Sequence, residues 1–414
     1  MSSNRIGIDA LAFSGPDAYL ALADLARARG VDPDKYTIGL GQHSMAIASP
    51  CEDPVTMAVQ AGQSALKKFG IDPDEIGTLI VGTETGIDHS KPVAVYVHEL
   101  LGLSQNCRTF ETKHACYGAM AGLTSSMDWI ASGRARGRKA LVIASDIASY
   151  GLNTPGEPTQ GAGAVAMVVS ADPRLLAFDA RRIGDYTRQV MDFWRPLYSK
   201  YAFADGHYSI ECYLDALAGA HQDAFAEADG PDSDTELVAC LYHIPFVRMA
   251  FKAHQRYLEI IQGGPIDRDH PSQLQALKED YQRRVLPWLS LNAEIGNIYT
   301  GSLFLSLIDL LRQQSSDLAG QSISLFSYGS GCGATYCLAR IQPTACDWVD
   351  AMDPSAALDQ RRKLSMDEYE QLIEDCSSAD QQPHLDPSDY GHRSGLFYVG
   401  TQDHQRQYRQ QEKA

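Results

Sequence analysis

Apolar residues along this chain fall into two kinds of run. Short, nearly continuous apolar stretches read as strands buried on both faces, and longer stretches with apolar positions every three or four residues read as amphipathic helices. Arg5 to Leu11 is expected to be a first strand, and Pro16 to Arg29 a helix stopped at Gly30. Asp53 and Pro54 are start signals for a helix from Val55 to Phe69, closed by Gly70. Thr78–Thr83 is a buried strand, Val93–Leu101 a helix ending at Gly102, and Arg108–Thr112 another strand. A run of small residues, Ala119 to Met127, predicts the next helix, and Lys139–Ser145 and Gly163–Ser170 predict two more buried strands. Strand and helix alternate throughout, the pattern of a layered α/β unit.

Asp172-Pro173 marks a boundary between a first half, 1–172, and a second half, 173–414. Phe178 to Tyr208 is aromatic-rich and has no clear period. A helix is expected from Ser209 to Ala228, a loop at Gly230–Asp234, and a strand at Leu237–Tyr242. Helical patterns fill most of Phe246 to Leu311, broken at Gly263-Gly264-Pro265. Ser322–Tyr328 and Thr335–Ile341 predict strands around the glycine-rich turn Gly329–Gly333. Beyond Pro343 the chain is polar, with one helix-like piece from Ser365 to Asp375. The turn at Cys116 and the Gly329 loop follow strands in similar ways, which hints at a duplicated α/β half.

Composition narrows the partners. The net charge of −17 disfavours nucleic acid and anionic membrane surfaces, and any phosphate-bearing ligand must meet a local basic patch. Nine cysteines without regular spacing point to reduced thiols in a cytoplasmic protein. No apolar run is long enough to span a bilayer, and no secretory leader is expected at the N-terminus. No HExxH, calcium loop or paired Cys/His cluster suggests a metal, and no dinucleotide fingerprint follows the first strand.

Five polar stations end or follow buried strands. Glu84, in Gly82–Gly86, is a carboxylate whose partial desolvation would raise its pKa toward that of a useful base. Cys116 sits where a strand turns into a helix N-terminus, and the helix dipole is expected to ease loss of the thiol proton. His243 directly follows a strand and could polarise a carbonyl or carry a proton. Asn297 could orient a thioester or an imidazole. The Ser330 N–H in its glycine-rich turn could join the Cys116 N–H in holding an oxyanion. Four have a plain structural alternative, a small buried hydrophobe for Cys116, a salt bridge for Glu84, a core histidine for His243 and a turn or cap for Asn297, and the Ser330 loop alone is a weak signal.

Taken together and in order, these stations resemble the 3-hydroxy-3-methylglutaryl-CoA (HMG-CoA) synthase family of the thiolase superfamily. The resemblance is carried by Gly82-Thr83-Glu84-Thr85-Gly86-Ile87-Asp88-His89-Ser90-Lys91, Lys113-His114-Ala115-Cys116-Tyr117-Gly118-Ala119, Ser145–Asn153 and Gly156–Ala164. It continues in Asp192-Phe193-Trp194-Arg195-Pro196, His243-Ile244-Pro245-Phe246, Gly296–Ser302 and Phe326–Gly331. It implies a thiolase-like duplicated αβαβα fold, a homodimer, and acetyl-CoA and acetoacetyl-CoA as substrates with no separate cofactor. It further implies that Cys116 carries the acetyl group, Glu84 removes its methyl proton, and His243 positions the acceptor. Tyr150, Thr159, Asn297, Tyr299 and Ser330 would line the substrates, and Asp192–Pro196 the site entrance.

Polyketide β-branching synthases, which act on acyl carrier protein, are similar. CoA-using members tend to carry lysines shortly after the catalytic His; here Arg248 and Lys252 occupy those positions, and Arg keeps a phosphate-gripping cation. The polyketide relatives tend to have Lys-Gln-Ala-Cys where this chain has Lys113-His114-Ala115-Cys116, and an aromatic-Gly-Lys where it has His89-Ser90-Lys91. These differences favour free CoA substrates. A thiolase would be expected to carry a second reactive Cys near the C-terminal glycine loop, and Cys332 is offset from that place and reads as a packing residue.

Overall fold

The computed structural model describes residues 5–199, 201–226, 237–314, 317–392 and 394–412. Nine strands form one mixed sheet: β1 (Gly7–Ser14), β2 (Ile76–Gly82), β3 (Arg108–Thr112), β4 (Lys139–Ala148), β5 (Gly161–Ser170), β6 (Leu176–Thr187), β7 (Ala239–Tyr242), β8 (Ser322–Gly329) and β9 (Gly333–Ile341). Their order is β7-β8-β9-β6-β1-β5-β4-β2-β3. In the first half, β1–β5 and β5–β4 pair antiparallel, then β4–β2 and β2–β3 pair parallel. In the second, β6–β9 and β9–β8 pair antiparallel and β8–β7 parallel. The two sets meet at β1 and β6, through Gly7↔Ala177 and Ile8↔Leu176.

The helices follow the same rhythm. α1 (Pro54–Lys68) and α2 (Gly118–Ala131) pack on the first five strands, and α3 (Gly206–Ala224) on β6 and β9. α4 (Met249–Gln262) follows β7, and α5 (Gly301–Gln314) lies across strands of both halves. α5 shows why tertiary position and sequence agree. Leu303, Phe304, Leu305, Leu307, Ile308, Leu310 and Leu311 are fully buried, as a helix apolar all round must be. Its one acid, Asp309, is buried too, and is held by Arg312 at 2.7 Å while accepting from the Ser290 N–H and hydroxyl. α1 starts with the predicted cap: Asp53 accepts the Thr56 N–H at 2.8 Å, with Pro54 in the first turn.

Four expectations need correction. Pro16–Arg29 is not one helix: Ala18–Ala21 is a strand between Ser44–Ala46 and Arg362–Lys363, and the helix runs only from Leu22 to Ala28. Partners far away in sequence claim its backbone. The irregular reading of Phe178–Tyr208 conceals the long strand β6, whose apolar start is interrupted by Asp179, Arg181 and Arg182. The polar tail ends in a hairpin, Gly395–Gln402 with Gln405–Gln411, turned at Asp403 and His404, both with positive φ (47° and 64°). Such turns announce themselves with Gly or Asn, and neither is present here. Finally, the Gly329 loop joins antiparallel neighbours β8 and β9, so its counterpart is the β4–β5 connection and not the turn at Cys116. The expected end of the 209–228 helix and the loop at 230–234 fall outside the described residues beyond 226.

Candidate active site

Close backbone approach builds the site. A side chain at Gly82 would lie 2.2 Å from the Ala119 nitrogen, so only glycine lets the end of β2 touch the start of α2. The Thr83 N–H donates to Thr112 O at 3.1 Å, tying the end of β2 to the end of β3. The loop carrying Glu84 is then folded around Asp146, at the end of β4. Asp146 Oδ1 accepts from the Thr83 hydroxyl at 3.0 Å, the Glu84 N–H at 2.8 Å, and the Thr85 N–H and hydroxyl, each at 3.0 Å. Its Oδ2 is buried with no partner among the described residues. Burial pushes the Asp146 carboxyl up to about 8, with the Glu84 charge adding to it, against the hydrogen bonds that favour the ionised form.

Glu84 itself is largely buried, and burial raises its pKa, opposed by Arg195 and Lys113. That is the direction expected from the sequence. Cys116 behaves differently from expectation. It sits two residues before α2, after Ala115 at φ +40°. Burial, Asp146, Glu84 and Asp192, in that order, push its thiol well above the ordinary value. The low dielectric and three carboxylates outweigh the helix terminus, so the resting sulfur is a thiol.

The second half supplies the facing wall. His243 follows β7; its N–H donates to Phe326 O at 2.7 Å and its carbonyl accepts from the Tyr213 hydroxyl at 2.8 Å. Burial depresses the imidazole to about 3, against a hydrogen bond to the Tyr299 backbone, so the ring is neutral. Its Nδ1 is buried with no partner among the described residues. Asn297 Nδ2 donates to the Tyr150 hydroxyl at 3.1 Å, and Asn297 Oδ1 accepts the Tyr299 N–H at 2.9 Å. Glycine again permits the contact: a side chain at Gly296 would lie 2.1 Å from Gln160 O. The Tyr150 and Tyr299 phenols are hydrogen-bonded, and both feel the charges of Glu84 and Cys116.

The structure therefore brings together Cys116, Glu84, Tyr150, Asn297, Tyr299 and His243. Ser330 lines a cavity of about 410 Å³ with Glu84, His114 and the Phe193–Pro196 segment, the entrance role expected for that segment. A second cavity, also about 410 Å³, opens on the other side of Glu84 and reaches Tyr299, Cys376 and Arg406. Of the predicted residues, Glu84, Tyr299 and Ser330 line these two cavities, while Cys116, His243, Tyr150 and Asn297 lie behind that lining and Thr159, Arg248 and Lys252 lie elsewhere. Thr159 bonds within its own turn, to Gly156 O at 2.9 Å. Arg248 and Lys252 are exposed at the start of α4, Arg248 with its guanidinium 5.4 Å from the Phe251 ring centre.

Sequence reasoning about single residues passed over Asp146, Asp192 and Arg195. Asp146 could have been found as the lone charge inside the apolar run Ala140–Ala148. Asp192 is fully buried and accepts from the Tyr328 hydroxyl at 2.7 Å and the Gly331 N–H at 2.8 Å. Elsewhere, Asp17, Glu52 and His392 gather side-chain ligand atoms within 4.8 Å of one another. There Nδ1 faces Asp17 at 3.2 Å while Nε2 faces Ser49 at 2.7 Å and Glu52 at 3.7 Å. A ring bonded on both sides in this way suits an imidazolium between carboxylates better than a one-nitrogen metal ligand.

Known proteins resemble this chain along nearly its whole length. The hydroxymethylglutaryl-coenzyme A synthase N-terminal family matches residues 2–173, and its C-terminal family matches 176–259 and 265–411. The chain belongs to the hydroxymethylglutaryl-CoA synthase family. The hydroxymethylglutaryl-CoA synthase of Enterococcus faecalis is 39% identical over 91% of this chain and 93% of that relative. A solved structure of MvaS in complex with 3-hydroxy-3-methylglutaryl coenzyme A superposes with a TM-score of 0.91, at 44% identity, covering 99% of both chains. The HMG synthase of the curacin biosynthetic pathway, solved with holo donor-ACP, gives a TM-score of 0.89 at 32% identity over 98% of this chain and 99% of that one. The fold is thus that of the thiolase-like HMG synthases. Among the described residues no helix is long and apolar enough to cross a membrane.

Proposed function

We propose that this chain condenses acetyl-CoA with acetoacetyl-CoA and water to give HMG-CoA and CoA, through an acetyl group carried on Cys116. The observation that supports the reading is the meeting of a thiol, a desolvated carboxylate and two hydrogen-bonded phenols where α2 begins, with a neutral imidazole on Tyr299 behind them. The Cys116 sulfur attacks the acetyl carbonyl, and its proton leaves with the departing CoA sulfur. Amide N–H groups of Cys116 and Ser330 hold the oxyanion. Glu84 takes a proton from the acetyl methyl group, and the carbanion equivalent attacks the C3 ketone of acetoacetyl-CoA. His243 orients and polarises that ketone through Nδ1, in the tautomer that protonates this nitrogen. Glu84 returns its proton to the new alkoxide, and water releases HMG-CoA from the sulfur.

Free CoA is the favoured carrier. The relatives at 39% and 44% identity are CoA-type by name; those named for carrier-protein pathways lie at 32–33%, in the same range as other CoA-type relatives at 31–35%. Arg248 and Lys252, exposed after His243, are available to CoA phosphates, and Thr159 to the substrate arm. Incubation with acetyl-CoA should add one acetyl group, seen by intact-protein mass spectrometry and absent in Cys116→Ser. The acetylated protein should turn over acetoacetyl-CoA faster than acetoacetyl-carrier protein. Absence of an adduct on the native chain sinks the mechanism; the reverse acceptor preference favours the carrier-protein reading. A cytoplasmic homodimer belongs to the same proposal; the homodimer is supported by β3, which among the described residues pairs on one side only. Light scattering should then give twice 45.3 kDa, and a monomer mass would remove that part.

A further inference from the structure

A hairpin crosses the mouth of the site. Phe193–Trp194 pairs antiparallel with Phe203–Ala204, and just beyond Pro196 the side chains of Leu197 and Tyr198 are 86% and 87% exposed. Its root is fixed. Asp192 is fully buried and held by the Tyr328 hydroxyl and Gly331 N–H of the second half, and by the Ser209 hydroxyl at 3.2 Å. Three residues on, Arg195 reaches the first half. Its Nη2 donates to the Glu84 backbone carbonyl at 2.5 Å and lies 3.2 Å from the Glu84 Oε1. One guanidinium nitrogen therefore grips both the main chain and the carboxylate of the same residue, a constraint that a point charge on a flexible stem does not reproduce fully. Arg195 also lines both cavities that meet at Glu84.

We infer that Arg195 is a positioning residue for carbon–carbon bond formation: from a hairpin rooted in one half of the molecule it pins the Glu84 carboxylate of the other half in place to take the acetyl proton. The inference rests on Glu84 being the base, as proposed above. The groups facing Glu84 divide by sign. Arg195 on the hairpin and Lys113 before α2 favour the carboxylate, and the Glu84 charge in turn raises the Asp146 carboxyl at the end of β4 and the Cys116 thiol. The Tyr150 and Tyr299 phenols sit close by and are held neutral by burial. Among the described residues, Arg195 is the one cation within ion-pair distance of Glu84.

The proton balance gives Arg195 a defined task. The methyl C–H bond breaks, its electron pair forms the new bond to the ketone carbon, and the proton rests on Glu84 until the alkoxide takes it. Arg195 gains and loses nothing. It fixes where the carboxylate points and favours its ionised form at the start of the cycle. Acetyl transfer to Cys116 needs no base at Glu84 and should be insensitive to the clamp.

The test compares Arg195→Gln and Arg195→Lys with the native chain in two measurements: acetylation of Cys116 by mass spectrometry, and the pH profile of HMG-CoA formation. Arg195→Gln should acetylate at near the native rate. Its condensation should fall by about 10- to 100-fold at neutral pH, with the acid limb moved up by about one pH unit, since a carboxylate that loses an adjacent cation holds its proton to higher pH. Arg195→Lys should recover most of the rate and the native limb. A native pH profile in Arg195→Gln overturns the inference, as does equal loss in both variants with no shift of the limb. Loss of acetylation also overturns it, because the hairpin would then shape the first substrate's site instead. Glu84→Gln separates the two layers. If it condenses at the native rate, Glu84 is not the base; if it fails while Arg195→Gln keeps a native profile, only the clamp is wrong.

Discussion

The two halves place different chemistry at matching points of one topology. Both open with strand, helix, strand and close with helix, strand, strand, and in both the sheet steps outward through two antiparallel pairings and then a parallel one; the first half adds one more parallel strand, β3, at its edge. After the second core strand stands Glu84 in one half and His243 in the other. Two residues before the helix that opens with glycine stands Cys116 ahead of Gly118, and Tyr299 ahead of Gly301. Each of those lead-ins holds a non-glycine residue at positive φ, Ala115 at 40° and Tyr299 at 48°. The β4–β5 connection brings Tyr150, and the β8–β9 connection brings Ser330. The scaffold fixes where functional groups gather, and residue identity decides what they do.

Burial drives the acid and the base of this set in opposite directions toward neutrality. Glu84 goes up and His243 goes down, because both charged forms lose water. The difference lies in the counter-charges. Glu84 has Arg195 and Lys113 to keep the ionised form within reach, so it can cycle. His243, among the described residues, has a hydrogen bond to the Tyr299 backbone and no counter-charge, so it stays a neutral dipole.

The sharpest way to break this comparison is to exchange function at the matching pair. Glu84→Gln should still acetylate Cys116 yet lose condensation by about 1,000-fold, the scale of a removed general base. His243→Gln should acetylate normally and lose about 100-fold, with a raised KM for acetoacetyl-CoA, as when one polarising donor is removed. Single-turnover kinetics on the acetylated variants measure both. If His243→Gln costs more than Glu84→Gln, the division into cycling base and fixed dipole is wrong.

A smaller effect tests how the tail holds the first half. The terminal hairpin packs on Cys51 and Asp53, and His392 bridges Asp17 and Glu52. Burial opposes the His392 charge, but Asp17 and Glu52 outweigh it and the pKa is raised. A raised histidine stabilises fully below its unfolded value of about 6.5 and loses that contribution as pH climbs through the folded value. The native chain should therefore lose up to about 1 kcal/mol between mildly acidic and alkaline pH that His392→Gln does not lose. Denaturant melts at several pH values measure it, and parallel curves for the two proteins would refute the latch.

Strand and helix alternation, the buried strands β2, β4, β5 and β8, the cap at Asp53 and the break at Gly263 were legible in the amino-acid order. So were the places of Glu84 and His243, because each follows an apolar strand whose period is local; Cys116 follows the polar strand β3, and Asn297 follows a short helix, Ser290–Ile295, and not the expected buried strand. The chain by itself also determined the duplicated pattern and the residue types available for acyl transfer. Only tertiary structure decided that β6 is a strand, that Ala18–Ala21 pairs with segments far along the chain, and that Asp403-His404 turns a hairpin. It alone set the ionisation of the site. Cys116 lies beside a helix start, as its neighbours in sequence require, but Asp146, Glu84 and Asp192 arrive there from three other elements and hold its proton. Local periodicity fixes secondary structure because it depends on neighbours; charge state depends on which distant groups share a dry volume, and that information exists only after folding.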